Sequence, residues 1–479
     1  MKHPLIFCAA LTFPLASCVA QPAPRSALQA APLRLEAENA TLSGNAKIAT
    51  ARAGFSGTGY VTGFEKDGDS FTFTIPNAKA GIYNVSVRYS APGEKGFGLN
   101  VNGAKSSGMF KASGGAFALQ SAGKVALKAG ENTLSLDRGW GFYDIDYIEL
   151  SPAAPAPALR AVPATLVDKK ADAKTRALMK FLVAHYGTTM LSGQYTGDEA
   201  YVQQLTGKTP AIAGLDLMDY SPSRVAFGSK STAIDEAIAH AKKGQIITLS
   251  WHWNAPNGLI NADYTDKNGK KIAALWWRGF YTNASTFDLE KALANPKSPE
   301  YALILSDIDA IAVQLKRLQA AGVPVLWRPL HEAEGAWFWW GAKGPQAFKT
   351  LWKLMFNRLA TTHNLHNLIW VYTGPSPQNA WYPGDDFVDI YGIDAYPSDR
   401  TDPLSGPYDA LLTRFNGKKL LALTEFKGVP DAAKMEQFGV KWSFFAAWTG
   451  GAGTKSQDVA EVKRTYSHPK ITSLDRLKR

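Results

Sequence analysis

Thiols are nearly absent from this chain. Of 479 residues only Cys8 and Cys18 are cysteines, both within the first 20. The remainder can therefore form neither a disulfide framework nor a cysteine-ligated zinc or haem site. Charge is sparse as well, at 19% of residues. The 46% of apolar residues, with 14 Trp, 18 Tyr and 23 Phe, nevertheless supply enough burial surface to exclude disorder as the dominant state. No segment after the amino-terminal stretch reaches the roughly 18 apolar residues that a membrane span needs. Net charge is +11, but Lys and Arg are scattered without a basic block. That pattern favours solubility or general polyanion attraction and speaks against a nucleic-acid partner. Several catalytic motifs are also missing. There is no G-x-S-x-G elbow for a serine nucleophile. The string His331-Glu332-Ala333-Glu334-Gly335 lacks the second His of a zinc helix.

What is present divides the chain into five parts. Met1-Lys2-His3 precedes a short apolar run at 4–14, which reads as a signal peptide over 1–17. It ends in Leu15-Ala16-Ser17-Cys18, which resembles a bacterial lipobox. The resemblance implies cleavage before Cys18 and a lipid anchor on its thiol, and ordinary cleavage after Ala20 is the alternative. Either way the protein is expected to be exported, as a cell-envelope lipoprotein (outer membrane or periplasm) or secreted, and to be a monomer. Residues 18–33 are Ala/Pro-rich and suit a tether, and a Pro/Ala linker is expected at 152–165. Between them, 34–151 shows alternating runs at 71–75, 83–90, 97–103 and 133–137 separated by Asn- and Gly-containing turns. That predicts a small all-β, jelly-roll-like β-sandwich.

Residues 166–479 alternate apolar runs with amphipathic helical stretches. The runs fall at 190–195, 211–217, 246–253, 323–332, 368–373, 388–396, 419–427 and 442–450. Eight βα units predict an α/β fold of the (β/α)8 barrel type. A doubly wound sheet would normally show a Gly-rich phosphate turn after its first strand, and none is present.

In such a barrel reactive groups stand at the carboxyl ends of strands. Reading those ends yields Asp216 and Asp219, His252, His331 and Glu332, Asp394 and Tyr396, Glu425, and Trp448. Glu332 and Glu425 end apolar runs four and seven, where a lone carboxylate would be desolvated. If Arg328, Leu330 and Glu332 alternate along one strand, Arg328 projects into the barrel beneath Glu332. Two carboxyls flanking one bond are what a glycosidase needs: one protonates the departing oxygen and the other attacks the anomeric carbon. Trp251, Trp253, Trp276, Trp277, Trp337, Trp339, Trp340 and Trp381 lie near strand ends, where stacking on pyranose faces is expected.

The string Trp327-Arg328-Pro329-Leu330-His331-Glu332, continuing to Gly341 through Trp337-Phe338-Trp339-Trp340, resembles glycoside hydrolase family 26. Further matching segments are Leu191-Ser192-Gly193-Gln194-Tyr195, Trp251-His252-Trp253-Asn254, Tyr391-Gly392-Ile393-Asp394-Ala395-Tyr396 and Thr424-Glu425-Phe426. The resemblance implies a retaining endo-β-1,4-mannanase with no cofactor for catalysis, acting on a β-mannan-type polysaccharide. Members acting on xylans and mixed-linkage glucans keep those substrates open. It implies Glu332 as acid/base and Glu425 as nucleophile, with Tyr396 donating to Glu425 and His331 supporting the acid/base and the sugar. Trp337 is then expected in the cleft, and His252, Asp394 and Trp448 at the sugar. Glu334 departs from the family's usual amide or small residue, and is expected to raise the pKa of Glu332 or to touch substrate.

The first domain is similar to carbohydrate-binding module family 35. The segments that carry the likeness are Leu35-Glu36-Ala37-Glu38, Gly57-Thr58-Gly59-Tyr60-Val61 and Asp144-Ile145-Asp146-Tyr147. This implies a structural Ca²⁺ on Glu36, Glu38 and Asp146, hard oxygen donors suited to that ion. Tyr60 and Trp140 are the expected sugar contacts.

Overall fold

A computed structural model describes residues 32–265, 269–274, 276–374 and 380–477. The signal peptide, Cys8, Cys18 and the tether up to residue 31 lie outside the described residues.

Alternation of burial along the strands explains the amino-terminal sandwich. In Ser70–Ala78 the side chains of Phe71, Phe73 and Ile75 are buried, as are Phe97, Leu99 and Val101 in Lys95–Val101. Each strand thus presents one apolar face, and two antiparallel sheets close on those faces. One sheet runs Lys47–Ala49, Tyr60–Thr62, Asp144–Pro152, Gly81–Ser90, Ala118–Leu127, with Leu33–Glu36 also on Asp144–Pro152. The other runs Thr41–Ser43, Ser70–Ala78, Gly130–Asp137, Lys95–Val101, Ala104–Phe110.

The Pro/Ala stretch that follows is attached to the carboxyl-terminal half rather than spanning solvent. Arg160 N donates to Asn416 Oδ1 at 2.8 Å, Asn416 Nδ2 donates to Ala158 O at 3.1 Å, and Val162 is buried.

The carboxyl-terminal half is a closed barrel of eight parallel strands in sequential order. They are Gly193–Tyr195, Ile212–Asp216, Ile246–Trp251, Val325–Pro329, Leu368–Thr373, Ile390–Ala395, Leu420–Phe426 and Phe445–Ala447. Each lies within one of the eight apolar runs. Near-continuous burial along these strands follows from helices covering the outside while side chains fill the inside. At the amino ends Ile212, Ile246, Leu326, Ile390 and Leu420 pack with Leu178 and Leu182 of helix Ala173–His185, plugging the barrel floor. Polar chemistry is left to the other end.

Strand four corrects one expectation. It stops at Pro329, and Leu330 and Glu332 both adopt φ 53°, in the left-handed region. Alternation cannot extend to Glu332, so shared parity does not place it above Arg328. Two left-handed residues instead turn the chain back, and Ala333–Gly335 forms a short 3-10 turn. Strand seven carries a second irregularity. Ile393 pairs with Leu423 but Asp394 with Glu425, so Thr424 is an extra residue. This bulge re-aims strand seven, setting Glu425 beside Asp394.

Candidate active site

Arg328 is the hub of the barrel mouth. Its side chain is fully buried, and its fork donates to Asp394 Oδ2 at 2.9 Å and to Glu425 Oε1. Nε and Nη2 also reach the Tyr195 hydroxyl, at 3.2 and 3.0 Å. A planar guanidinium suits this task, since it can serve two carboxylates at fixed angles. Glu425 gains a second donor from Tyr396, whose hydroxyl lies 2.6 Å from Oε2. Asp394 is held by Arg328 on one oxygen and by Thr424 Oγ1, at 2.7 Å, on the other.

Glu332 enters from the turn after strand four. Its carboxylate accepts from Trp337 Nε1, 3.1 Å from Oε2. Gly335 makes that contact possible: a Cβ there would sit 1.9 Å from the Trp337 ring. One carboxylate oxygen from each of Glu332, Asp394 and Glu425 lies within 4.8 Å of the others. Three acids so close would suit a cation, but Arg328 already supplies positive charge to two of them. Burial and the charge of Asp394 raise both Glu332 and Glu425, and Arg328 opposes both shifts. The two glutamates therefore titrate as a pair. Contacts decide where the shared proton rests. Glu425 accepts from Arg328 and Tyr396, which favour its anion, so the proton rests on Glu332. Burial pushes Glu334 up to about 7, and its Oε2 is buried without a partner.

Behind this group, His252 Nδ1 bonds to Asp216 Oδ2, and His252 Nε2 lies 3.2 Å from His331 Nε2. His331 is 1% exposed, which corrects its expected sugar contact: it backs the wall of the site. Asp394 is likewise corrected, since both oxygens are engaged and its side chain is almost wholly buried. Trp448 is half-buried, its ring 4.8 Å from Tyr195 and 6.1 Å from His252.

The aromatics divide sharply. Trp337 and Tyr396 are 48% and 42% exposed, and Trp277 is also open. Trp251, Trp253, Trp339 and Trp340 are buried, so they are no stacking platforms. Trp339 Nε1 donates to Trp253 O at 2.6 Å and Trp340 Nε1 to His331 O at 2.9 Å, bracing the loops that carry the site. An indole buried with its N–H satisfied is scaffold.

In the module, Tyr60 is 5% exposed, wedged between Phe55 and Phe117, and its hydroxyl accepts from Arg52 N. Its expected sugar contact is therefore corrected: the ring faces are covered. Trp140 is 55% exposed and lies against Gly96, where a Cβ would fall 2.0 Å from the indole nitrogen. Phe142, which sequence reading passed over, is equally open, with Lys95 and Arg138 over its ring. An aromatic two residues past Trp140 was the available signal.

Glu36 and Glu38 converge on Gly57, whose Cβ would meet Glu38 Oε1 at 2.0 Å and Glu36 Oε2 at 3.5 Å. Glu38 Oε2 is buried and unpartnered, a donor set that fits a hard cation. Asp146 does not fit as well. Its oxygens are taken by Ser56 N, at 2.8 Å, and by Arg88.

Comparison with known proteins finds relatives for both domains. Residues 167–476 match Glycosyl hydrolase family 26, and residues 33–153 match Carbohydrate binding module (family 35). A mannan endo-1,4-β-mannosidase of Thermothelomyces thermophilus is 42% identical over 472 residues, covering 96% of this chain and 95% of that protein. Mannan endo-1,4-β-mannosidase B of a Piromyces species is 31% identical over 459 residues, covering 92% and 76%. The crystal structure of the GH26-CBM35 β-(1,4)-mannanase of Podospora anserina superposes with a TM-score of 0.66 at 43% identity, covering 93% of this chain and 98% of that one.

Proposed function

The chain belongs to glycosyl hydrolase family 26, and from that membership we propose that it is a retaining endo-β-1,4-mannanase acting on mannan, glucomannan or galactomannan. One observation carries the chemistry: Glu332 and Glu425 offer oxygens within 4.8 Å of each other. Retaining glycosidases need about 5–5.5 Å between the two carboxyls, and inverting ones about 6.5–9.5 Å.

We assign the roles from the contacts that support them. Glu425, held as an anion by Arg328 and Tyr396, attacks the anomeric carbon. Glu332 gives its proton to the glycosidic oxygen as the C–O bond breaks, leaving a glycosyl ester on Glu425. The Glu332 anion then takes a proton from water, whose oxygen displaces Glu425 from the same carbon. Two inversions restore the starting configuration. Trp337 presents an open face beside Glu332 on which a sugar ring can stack.

Product chromatography after incubation with mannan, glucomannan, xylan and lichenan tests the substrate. Manno-oligosaccharides of several lengths from the first two are expected. Products from xylan or lichenan alone would transfer the mechanism to another β-glycan, and none from any would leave a glycan-binding protein.

The module anchors the enzyme to insoluble polymer through Trp140 and Phe142, raising local substrate concentration. Trp140→Ala is expected to cut retention on insoluble mannan several-fold in a pull-down, with a much smaller effect on soluble oligosaccharides. Equal retention would remove Trp140 from that role. We assign a structural Ca²⁺ to Glu36 and Glu38, where it would neutralise two facing carboxylates. Export is the location that suits a polymer substrate, with Cys18 as the point of any lipid anchor.

A further inference from the structure

A polar chain that the two-glutamate chemistry does not use runs along one wall of the site. Asp216 ends strand two and accepts four hydrogen bonds. Its donors are His252 Nδ1, His252 N at 3.1 Å, Ser250 Oγ at 2.9 Å and Met218 N at 2.7 Å. These hold the carboxylate in one orientation against the imidazole. From the far side of that ring, Nε2 lies 3.2 Å from Nε2 of His331, the residue before Glu332. Two ring nitrogens at this distance need one proton between them. His331 Nδ1 is buried and has no partner among the described residues.

Resting on the retaining-glycosidase reading above, we propose that Asp216 is a positioning residue. It keeps His252 an imidazolium, which donates to His331 and stands as a second cation, beside Arg328, for the Glu425 carboxylate.

The surroundings of His252 support this. Its charged and titratable neighbours are Asp216 from strand two, Glu425 from strand seven, and Arg328 and His331 from strand four and its loop. Phe280, Phe338 and Trp448 complete the shell and carry no charge at neutral pH. Two anions face the ring against one cation. Burial is the largest influence and lowers its pKa, but Asp216, with a smaller contribution from Glu425, raises it above the ordinary imidazole value. For His331, burial and the charges of Arg328 and His252 all lower the pKa, so that ring is neutral. A neutral His331 whose Nε2 accepts must carry its proton on Nδ1, so the direction of the chain follows from Asp216. By linkage, a positive His252 favours the Glu425 anion as much as Glu425 favours the imidazolium.

The test combines ring spectroscopy with a pH series. Nitrogen-15 NMR of the intact wild-type protein, recorded from about pH 5 to about pH 7.5, should show His252 keeping both ring protons to higher pH than a free imidazole does, and His331 protonated on Nδ1 alone. In Asp216→Asn the His252 charge is lost as pH rises. The wild-type to variant ratio of kcat/KM on a manno-oligosaccharide should therefore grow about tenfold across that interval. Asp216→Glu should flatten the ratio again. A ratio independent of pH would reduce Asp216 to a structural role, and a His252 ring that loses its proton at or below the pH at which a free imidazole does would overturn the proposal even if the variant failed to fold. Should the wild type cleave no mannan, the mannanase reading fails separately, and the ring spectra alone decide the charge on His252.

Discussion

Glu332→Ala and Glu425→Ala are each expected to lower kcat on mannan by about three orders of magnitude or more, while both variants keep a cooperative melt. The two losses should differ in kind. Without Glu332 the glycosidic oxygen leaves unprotonated, so a substrate with an acidic aryl leaving group escapes much of the penalty at the first step. The glycosyl-enzyme then forms but hydrolyses slowly, and a small anion such as azide, which needs no base, should restore turnover as a β-glycosyl azide. Without Glu425 there is no attacking oxygen, and leaving-group acidity should restore little. Survival of the fold follows from the contacts. Glu332 accepts a hydrogen bond from the exposed Trp337, and loss of Glu425 leaves Arg328 paired with Asp394 and Tyr195. Steady-state kinetics on mannan and on an aryl mannoside, with and without azide, separates the cases. Ordinary turnover by either variant would remove the assignment.

Arg328→Met is expected to damage stability and activity together. The guanidinium is fully buried between Asp394 and Glu425, so its removal strands two desolvated carboxylates. Breaking a buried pair in this way typically costs about 3–5 kcal/mol, which thermal melting would register. The activity effect has a sign. Arg328 opposes the rise that burial and Asp394 impose on Glu425, so without it the nucleophile holds its proton to higher pH. The acid limb of the rate profile should move upward, leaving little activity at neutral pH. Arg328→Lys keeps one charge but cannot reach both carboxylates in fork geometry. It should melt closer to wild type while still losing about two orders of magnitude in kcat. A lysine variant with full activity would show that charge alone suffices.

Much of the architecture was legible because each barrel strand sits inside a short apolar run between amphipathic stretches, a period that burial imposes directly. Boundaries were less so. The run at 323–332 looks like one strand, yet Pro329 has no N–H to donate and the chain turns over at Leu330 and Glu332. The bulge at Thr424 left no mark in composition, although it is what brings Asp394 level with Glu425. Asp216 and His252 were visible singly as strand-end residues, but their pairing depends on neighbouring strands being in register, which a linear string does not encode. Tyr60 and Trp140 show the same limit from another side. An aromatic near a Gly-rich turn reads alike whether its faces are covered, as for Tyr60, or open, as for Trp140.

The central claim is that Glu425 forms a covalent bond to sugar while Glu332 handles the proton. Incubating the enzyme with a 2-deoxy-2-fluoro mannosyl or mannobiosyl fluoride slows breakdown of such an ester enough for intact-mass and peptide mass spectrometry. One glycosyl adduct per chain is expected, on the peptide containing Glu425 and on that residue, with loss of activity in proportion. An adduct on Asp394 or Glu332, or an enzyme that turns the substrate over with inverted configuration and no adduct, would contradict the account.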